Sequence, residues 1–330
     1  MDKKRLRGLA QIVISAVLLF FILRTVQWQD VRTALLSIDL RWLAAAWALF
    51  MLGVVVRAGR WQVLLRALGV PRRLGELTNW YFVGSFFNVI LPTGFGGDAI
   101  RVAELGADTR RVGPVLNSVL VDRYMGIMVL LPMGLIAGLA QPGTARTGVM
   151  ALMAVLFGGG LLVAWLLRRP WWTAWASRPG TWGRIVRELR LSSLAEAVQP
   201  YDRPTMVRAL VVSLIFNFLQ IGWNMAIAQG LGLRLPLATF LTLVPLTAVA
   251  LLLPSFGGLG VRELSYVGLF GQVGVVRPTA IALSLGVYII TVATGLVGGA
   301  LYVLQGIRRA SVASAAAGQA PEQGLNTKKV

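Results

Sequence analysis

Long apolar runs alternate with short basic connections along this chain. Leu9–Leu23 is almost unbroken apolar sequence behind Lys3, Lys4, Arg5 and Arg7. Further runs cover Trp42–Val56, Pro114–Leu139, Val149–Leu167, Ala209–Leu231 and Thr279–Leu304. Such runs predict helices that cross a hydrocarbon core of about 30 Å. Two other runs are short and end at a proline: Thr78–Leu91 before Pro92, and Leu237–Leu253 before Pro254. At 1.5 Å per residue the first reaches only about 20 Å. The pattern therefore predicts helices that enter the membrane and turn back, with Asp98–Arg111 and Glu263–Val273 following the breaks. Residues 27–41 read as a short connection with Trp28 and Trp42 as interface anchors. In the long polar stretch 168–208, Trp182, Ile185, Val186 and Leu189 recur at helical spacing. That stretch reads either as a surface amphipathic helix or as a plain linker.

The two proline breaks are copies of one another. Leu91-Pro92-Thr93-Gly94-Phe95-Gly96-Gly97 precedes Arg101, and Leu253-Pro254-Ser255-Phe256-Gly257-Gly258 precedes Arg262. Without Gly94 the two align. Each half then holds two spans, one broken element and one span. Three crossings per half is an odd number, so the second half is inverted relative to the first. The expected fold is an all-α polytopic membrane protein of two inverted repeats, each with three spanning helices and one broken re-entrant element. Residues 1–8 form a cytoplasmic N-terminus, 9–139 the first repeat and 140–305 the second. Within the second, 168–208 is a cytoplasmic linker; 306–330 reads as a disordered tail. Paired Gly/Pro-interrupted segments in corresponding halves point to a transporter-type binding site.

Composition narrows the chemistry. Apolar residues make up 56% and charged residues 14%, whereas a soluble domain carries about a quarter charged. There is no cysteine and no histidine, which removes disulfides, thiolate chemistry, Cys/His metal sites and the usual general base. No cofactor motif is present, and no spacing among the 13 acids marks a metal site. The net charge of +19 lies beside apolar spans, without aromatics interleaved for base stacking. It suits an anionic leaflet rather than nucleic acid. With the N-terminus inside, cytoplasmic segments hold 24 basic residues and outside loops hold 6; Arg123 and Arg262 complete the 32. The positive-inside rule thus places both termini in the cytoplasm.

The candidate residues follow the breaks. Asp98 precedes Arg101, and Glu263 follows Arg262. These are either two local ion pairs that hold loops, or phosphate-gripping arginines with the acids free for an amine, a proton or a cation. The N–H groups of Gly96, Gly97, Gly257 and Gly258 are candidates for an anion-binding nest. Asn88, one turn before Pro92, is placed to cap the broken backbone. Asp122-Arg123 reads as an intramembrane charge pair, a brace or a functional pair. Asn217, Gln220 and Asn224 share a face, as a polar path or as interhelical hydrogen bonding. Ser255 and Thr93 lack an activating partner, which weakens an intramembrane phosphatase or transferase reading.

At these residues the chain resembles the flippase-type transmembrane region of lysylphosphatidylglycerol synthase and its stand-alone relatives. Phe86-Phe87-Asn88, Leu91-Pro92, Gly96-Gly97-Asp98 and Arg101 carry the likeness. So do Arg57-Ala58-Gly59-Arg60-Trp61, Asp122-Arg123 and Gly257-Gly258-Leu259-Gly260-Val261-Arg262-Glu263. Position 122 is Asp where the family more often has Glu. The resemblance implies a lipid translocase-like protein acting on membrane lipids, anionic ones foremost. It also leaves room for a partner or regulator of a separately encoded transferase. No segment outside the spans is long enough to fold as the family's aminoacyltransferase domain.

Overall fold

The computed structural model describes residues 28–91, 95–140, 147–168, 200–251, 258 and 260–318, with Trp28, Thr147 and positions 308–318 described as backbone only. The first predicted span, the stretch around Trp182–Leu189, and Pro92, Pro254 and Gly257 lie outside the described residues.

Every regular element among the described residues is helical. In chain order these are α1 (Trp28–Leu36), α2 (Leu40–Ala67), α3 (Leu74–Ile90), α4 (Gly96–Thr109), α5 (Val112–Ala140) and α6 (Thr147–Leu167). The second half continues with α7 (Arg203–Gly230), α8 (Leu237–Ala250), α9 (Val261–Phe270), a 3-10 turn at Gly271–Val273, and α10 (Arg277–Gly318). Five of them, α2, α5, α6, α7 and α10, are long and apolar enough to cross a membrane. The chain is a multi-pass, all-helical membrane protein.

Several boundaries differ from the expected ones for physical reasons. The run Trp42–Val56 grows into the 28-residue α2, because Arg57, Arg60 and Trp61 find partners inside the bundle. Arg57 and Arg60 therefore belong to a span rather than to a cytoplasmic loop. The basic bias toward that side survives their removal. Helix α3 begins at Leu74, four residues before Thr78, with Glu76 in its first turn where the helix dipole favours an acid. The connection 27–41 contains α1, whose Val31 is buried against Ile281. The tail expected to be disordered from 306 is helical as far as Gly318. Its run Ala315-Ala316-Ala317 has the best helix propensity of any residue type.

Helices α2 and α7 lie antiparallel along their whole length. Arg60 Nη1 meets Ser213 near one end, Phe50 tilts against Trp223 in the middle, and Gly230 abuts Ile38 and Trp42 at the other. Each pairs in turn with a helical hairpin that starts where it ends. In the first hairpin, α3 and α4 run antiparallel and touch at Gly84 and Gly97, where an added Cβ on Gly97 would sit 2.1 Å from the Gly84 carbonyl oxygen. Its outer ends are tied together: Arg72 pairs with Asp108, and Arg111 Nη1 donates to the Gly69 carbonyl at 2.9 Å. In the second hairpin, α8 and α9 bring Phe240 and Phe270 to 5.9 Å between ring centroids. Because α2 and α7 are antiparallel, the two hairpins begin at opposite ends of that pair.

Each hairpin also docks on the other half. Helix α3 lies on α10 at Gly295 and Gly298; a Cβ on Gly298 would fall 1.8 Å from the Phe82 carbonyl oxygen. Helix α8 lies on α5 at Gly134 and Gly138, where a Cβ would meet Pro245 at 2.9 Å and Thr242 at 3.3 Å. Glycines that let two backbones approach closely are the usual means of helix association in lipid. Exchanging the halves maps each of these packings onto its counterpart.

Candidate functional site

The first hairpin presses its polar residues against α2, α5 and α7, where they form one buried network. Arg60 of α2 is 3% exposed and Asp122 of α5 is fully buried. Arg60 Nε donates to Asp122 Oδ1 at 2.6 Å, and its Nη1 donates to Ser213 Oγ of α7 at 2.9 Å. The Tyr81 hydroxyl of α3 donates to Asp122 Oδ2, also at 2.6 Å. Both oxygens of this buried carboxylate are thus satisfied by donors from two other helices. That is what makes an ion pair tolerable away from water.

Arg101 of α4 lies directly beyond Tyr81. Its guanidinium carbon sits 3.9 Å from the Tyr81 ring centroid and 4.9 Å from that of Trp61. Trp61 is held in turn by a 2.8 Å bond from its Nε1 to Ser118 Oγ. Arg101 Nη2 donates to Asp98 Oδ1 one turn back, while Arg123 Nε of α5 donates to Asp98 Oδ2. One carboxylate therefore bridges two guanidinium groups from different helices. Arg101 is 2% exposed, and its Nη1 has no hydrogen-bond partner. Arg57 completes the group from α2, with ring contacts to Tyr81 at 5.0 Å and Phe216 at 5.3 Å. Four guanidinium groups (Arg57, Arg60, Arg101, Arg123) thus meet two carboxylates (Asp98, Asp122) in one cluster. The surplus is cationic.

The second break is built differently. Glu263 does not pair with Arg262. Its Oε2 accepts from the Gly260 N–H at 2.6 Å, capping its own helix, and its Oε1 lies 3.5 Å from Ser284 Oγ of α10. Gly260 adopts φ +81°, a conformation that side chains rarely take. Arg262 is half-buried, with its guanidinium 5.3 Å from the Tyr288 centroid. The contacts of the second site thus come from α9 and α10, whereas those of the Arg101 site come from α2, α3, α4 and α5.

The remaining candidates find specific places. Asp122 and Arg123 are neighbours in sequence but not partners, since Asp122 faces Arg60 and Arg123 faces Asp98. Consecutive residues on a helix point about 100° apart, which explains the split. Asn88 Oδ1 accepts from the Gly97 N–H at 2.7 Å. Gly97 therefore cannot offer that N–H to an anion, and its missing side chain serves close packing on Gly84 instead. Gly96 is buried against Leu91 and Phe87. Asn217 donates to the Gly126 carbonyl at 3.3 Å. Asn224 accepts from the Tyr266 hydroxyl and donates to the Gln220 carbonyl at 2.8 Å. Of the two readings for these amides, the contacts are helix-to-helix bonds and bonds within α7. Tyr81, Trp61, Ser118 and Ser213 were not among the candidates. As sequence, Tyr81 and Trp61 are two more aromatics in apolar runs; only a polar tip within such a run marks them.

No curated protein matches this chain. Residues 8–299 match the family described as lysylphosphatidylglycerol synthase TM region, nearly nine-tenths of the sequence, and the chain belongs to that family.

Proposed function

We propose that this protein is a lipid translocase that moves a phosphate-bearing lipid between the leaflets of a bacterial cytoplasmic membrane. One observation carries the reading: the surplus of guanidinium groups around Tyr81. A buried arginine costs about 2.5–3.5 kcal/mol on insertion scales, so two in excess of their carboxylates imply an anionic occupant. Arg101 has an unused donor, and Arg57 rests on two aromatic faces and makes no ion pair among the described residues. A planar guanidinium fork matches phosphate oxygens. The family's name links it to a phospholipid, which supports a lipid as the bearer of that phosphate.

The architecture supports the same reading. Two hairpins start from opposite ends of the α2–α7 pair, and exchange of the halves preserves the packing. We read them as inverted repeats with re-entrant elements, in which irregular backbone lines a protein-enclosed cavity. Arg262 is the counterpart of Arg101 in the second repeat. Both termini lie in the cytoplasm in this arrangement.

Reconstituted vesicles test the proposal. Purified protein should exchange fluorescent anionic phospholipids between leaflets faster than zwitterionic ones. Arg101→Ala and Arg262→Ala should each reduce exchange by about tenfold or more, with folding intact. Equal exchange by the wild type and both variants would end the assignment and favour a partner of a separate transferase.

A further inference from the structure

Asp98 stands out within the arginine network. It is buried, and it is the one carboxylate there that two guanidinium groups grip from different helices, α4 and α5. Asp122 differs, because its second partner is the neutral Tyr81 hydroxyl. A carboxylate held between two arginines presents two oxygens to two forks, as a phosphate does. Asp98 also sits in the first turn of α4, directly after Gly96 and Gly97 at the tip of the hairpin. That position adjoins Phe95, which is 63% exposed and lies beneath the Arg123 guanidinium at 4.3 Å. Arg123 itself has 31% of its side chain exposed. The grip is therefore buried on the Arg101 side and open on the Arg123 side.

We propose that Asp98 is an internal placeholder for the substrate phosphate, and that exchange of the two anions takes up a proton. This inference rests on the phosphate-lipid reading above and specifies how that site is regulated. An incoming phosphate enters from the Arg123 side and takes over the forks of Arg123 and Arg101, including the unpartnered Nη1. Asp98 then loses both partners while it remains buried. A buried carboxylate without a cation is costly as an ion, so in this exchange it takes up a proton. When the phosphate leaves, the proton is released and the Asp98 bridge re-forms. The charged groups that face Asp98 are Arg101 on its own helix and Arg123 on α5; behind Arg101 lie Tyr81 on α3, Asp122 on α5, and Arg57 and Arg60 on α2. Arg60 and Tyr81 are committed to Asp122.

The same logic sets the class of headgroup. The network sets four guanidinium groups against two carboxylates, so its net charge is positive. The site selects an anionic phosphate headgroup over a zwitterionic one.

Isothermal titration calorimetry on the purified full-length chain in detergent tests this. The probe is dihexanoyl phosphatidylglycerol, with dihexanoyl phosphatidylcholine and inorganic phosphate in parallel. Repeating each titration in buffers of different ionisation enthalpy reads proton exchange directly. The wild type should bind the anionic lipid with uptake of about one proton. Asp98→Asn removes the competing anion; it should bind at least about tenfold more tightly and take up no proton. Comparable binding of inorganic phosphate would identify free phosphate as the ligand, and with the same proton uptake would support the exchange. Anionic lipid bound by the wild type without proton uptake would overturn the placeholder and leave the phosphate-lipid reading standing. Failure of the wild type to bind any phosphate probe would overturn both. The wild-type proton count needs no variant, so it holds even if Asp98→Asn fails to fold.

Discussion

Arg60 and Asp122 form the most deeply buried ion pair described, and their energetics differ from those of a surface pair. Removing one partner strands the other as an uncompensated charge, at a cost of about 3–5 kcal/mol, whereas removing both replaces the pair with apolar packing. Arg60→Met and Asp122→Leu should therefore each lower the melting temperature in detergent substantially. The double variant should be more stable than the sum of the two losses implies. Additive losses would show that the groups do not act as a pair. Tyr81 and Ser213, which complete this network, were invisible in the sequence for a simple reason. A hydroxyl in an apolar helix carries no sign of whether it faces lipid, a backbone carbonyl or a buried charge. The arginines were visible as charges, but their partners were not. Asp122-Arg123 read as a pair because they are adjacent, and helix geometry sends them to different neighbours.

Single glycines decide how the helices meet. A Cβ on Gly298 would stand 1.8 Å from the Phe82 carbonyl oxygen, and one on Gly97 would stand 2.1 Å from that of Gly84. In both cases the obstacle is backbone, which cannot rotate away. Gly298→Ala should separate α10 from α3, and Gly97→Ala should open the first hairpin; each should lower thermal stability by several degrees or abolish folding. Gly306 on α10 has nothing within 4 Å of an added Cβ. Gly306→Ala should leave stability unchanged or raise it by about 1 kcal/mol through helix propensity. Similar melting curves for all three would contradict the described packing. At this scale the sequence was informative. The Pro and Gly breaks located both hairpins, and the apolar runs located every long helix among the described residues. The end of α2 and the start of α3 were misjudged because apolarity does not extend as far as the helix does. Buried arginines extend α2, and Glu76 lets α3 begin in a basic stretch.

The arrangement of the whole molecule follows from an antiparallel pair, α2 and α7, with one hairpin starting at each end. If the halves are inverted, the outer ends of the hairpins face opposite sides of the membrane. The absence of cysteine allows a direct test without background. Exposed Arg73→Cys, beside the first hairpin, should be protected from an impermeant thiol reagent added outside intact cells. Exposed Gln272→Cys, beside the second, should be labelled. Labelling of both from the same side would rule out inversion. The repeated break made the two hairpins legible. What the sequence did not convey is the asymmetry of the two breaks: Arg101 is buried in a crowded cationic network, whereas Glu263 caps its own helix and leaves Arg262 half-buried against Tyr288. Residues aligned one to one were expected to do the same work, yet their neighbours come from helices that are not equal in charge.

The most direct test of the central claim, that the arginine surplus binds a phosphate in transit, is leaflet exchange by Arg57→Gln. Arg57 makes no ion pair among the described residues and rests on the rings of Tyr81 and Phe216. Its loss removes a cation without stranding a carboxylate. In reconstituted vesicles, Arg57→Gln should exchange anionic phospholipid at least about tenfold more slowly than the wild type, with an unchanged melting temperature. Exchange at the wild-type rate by this folded variant would contradict the account.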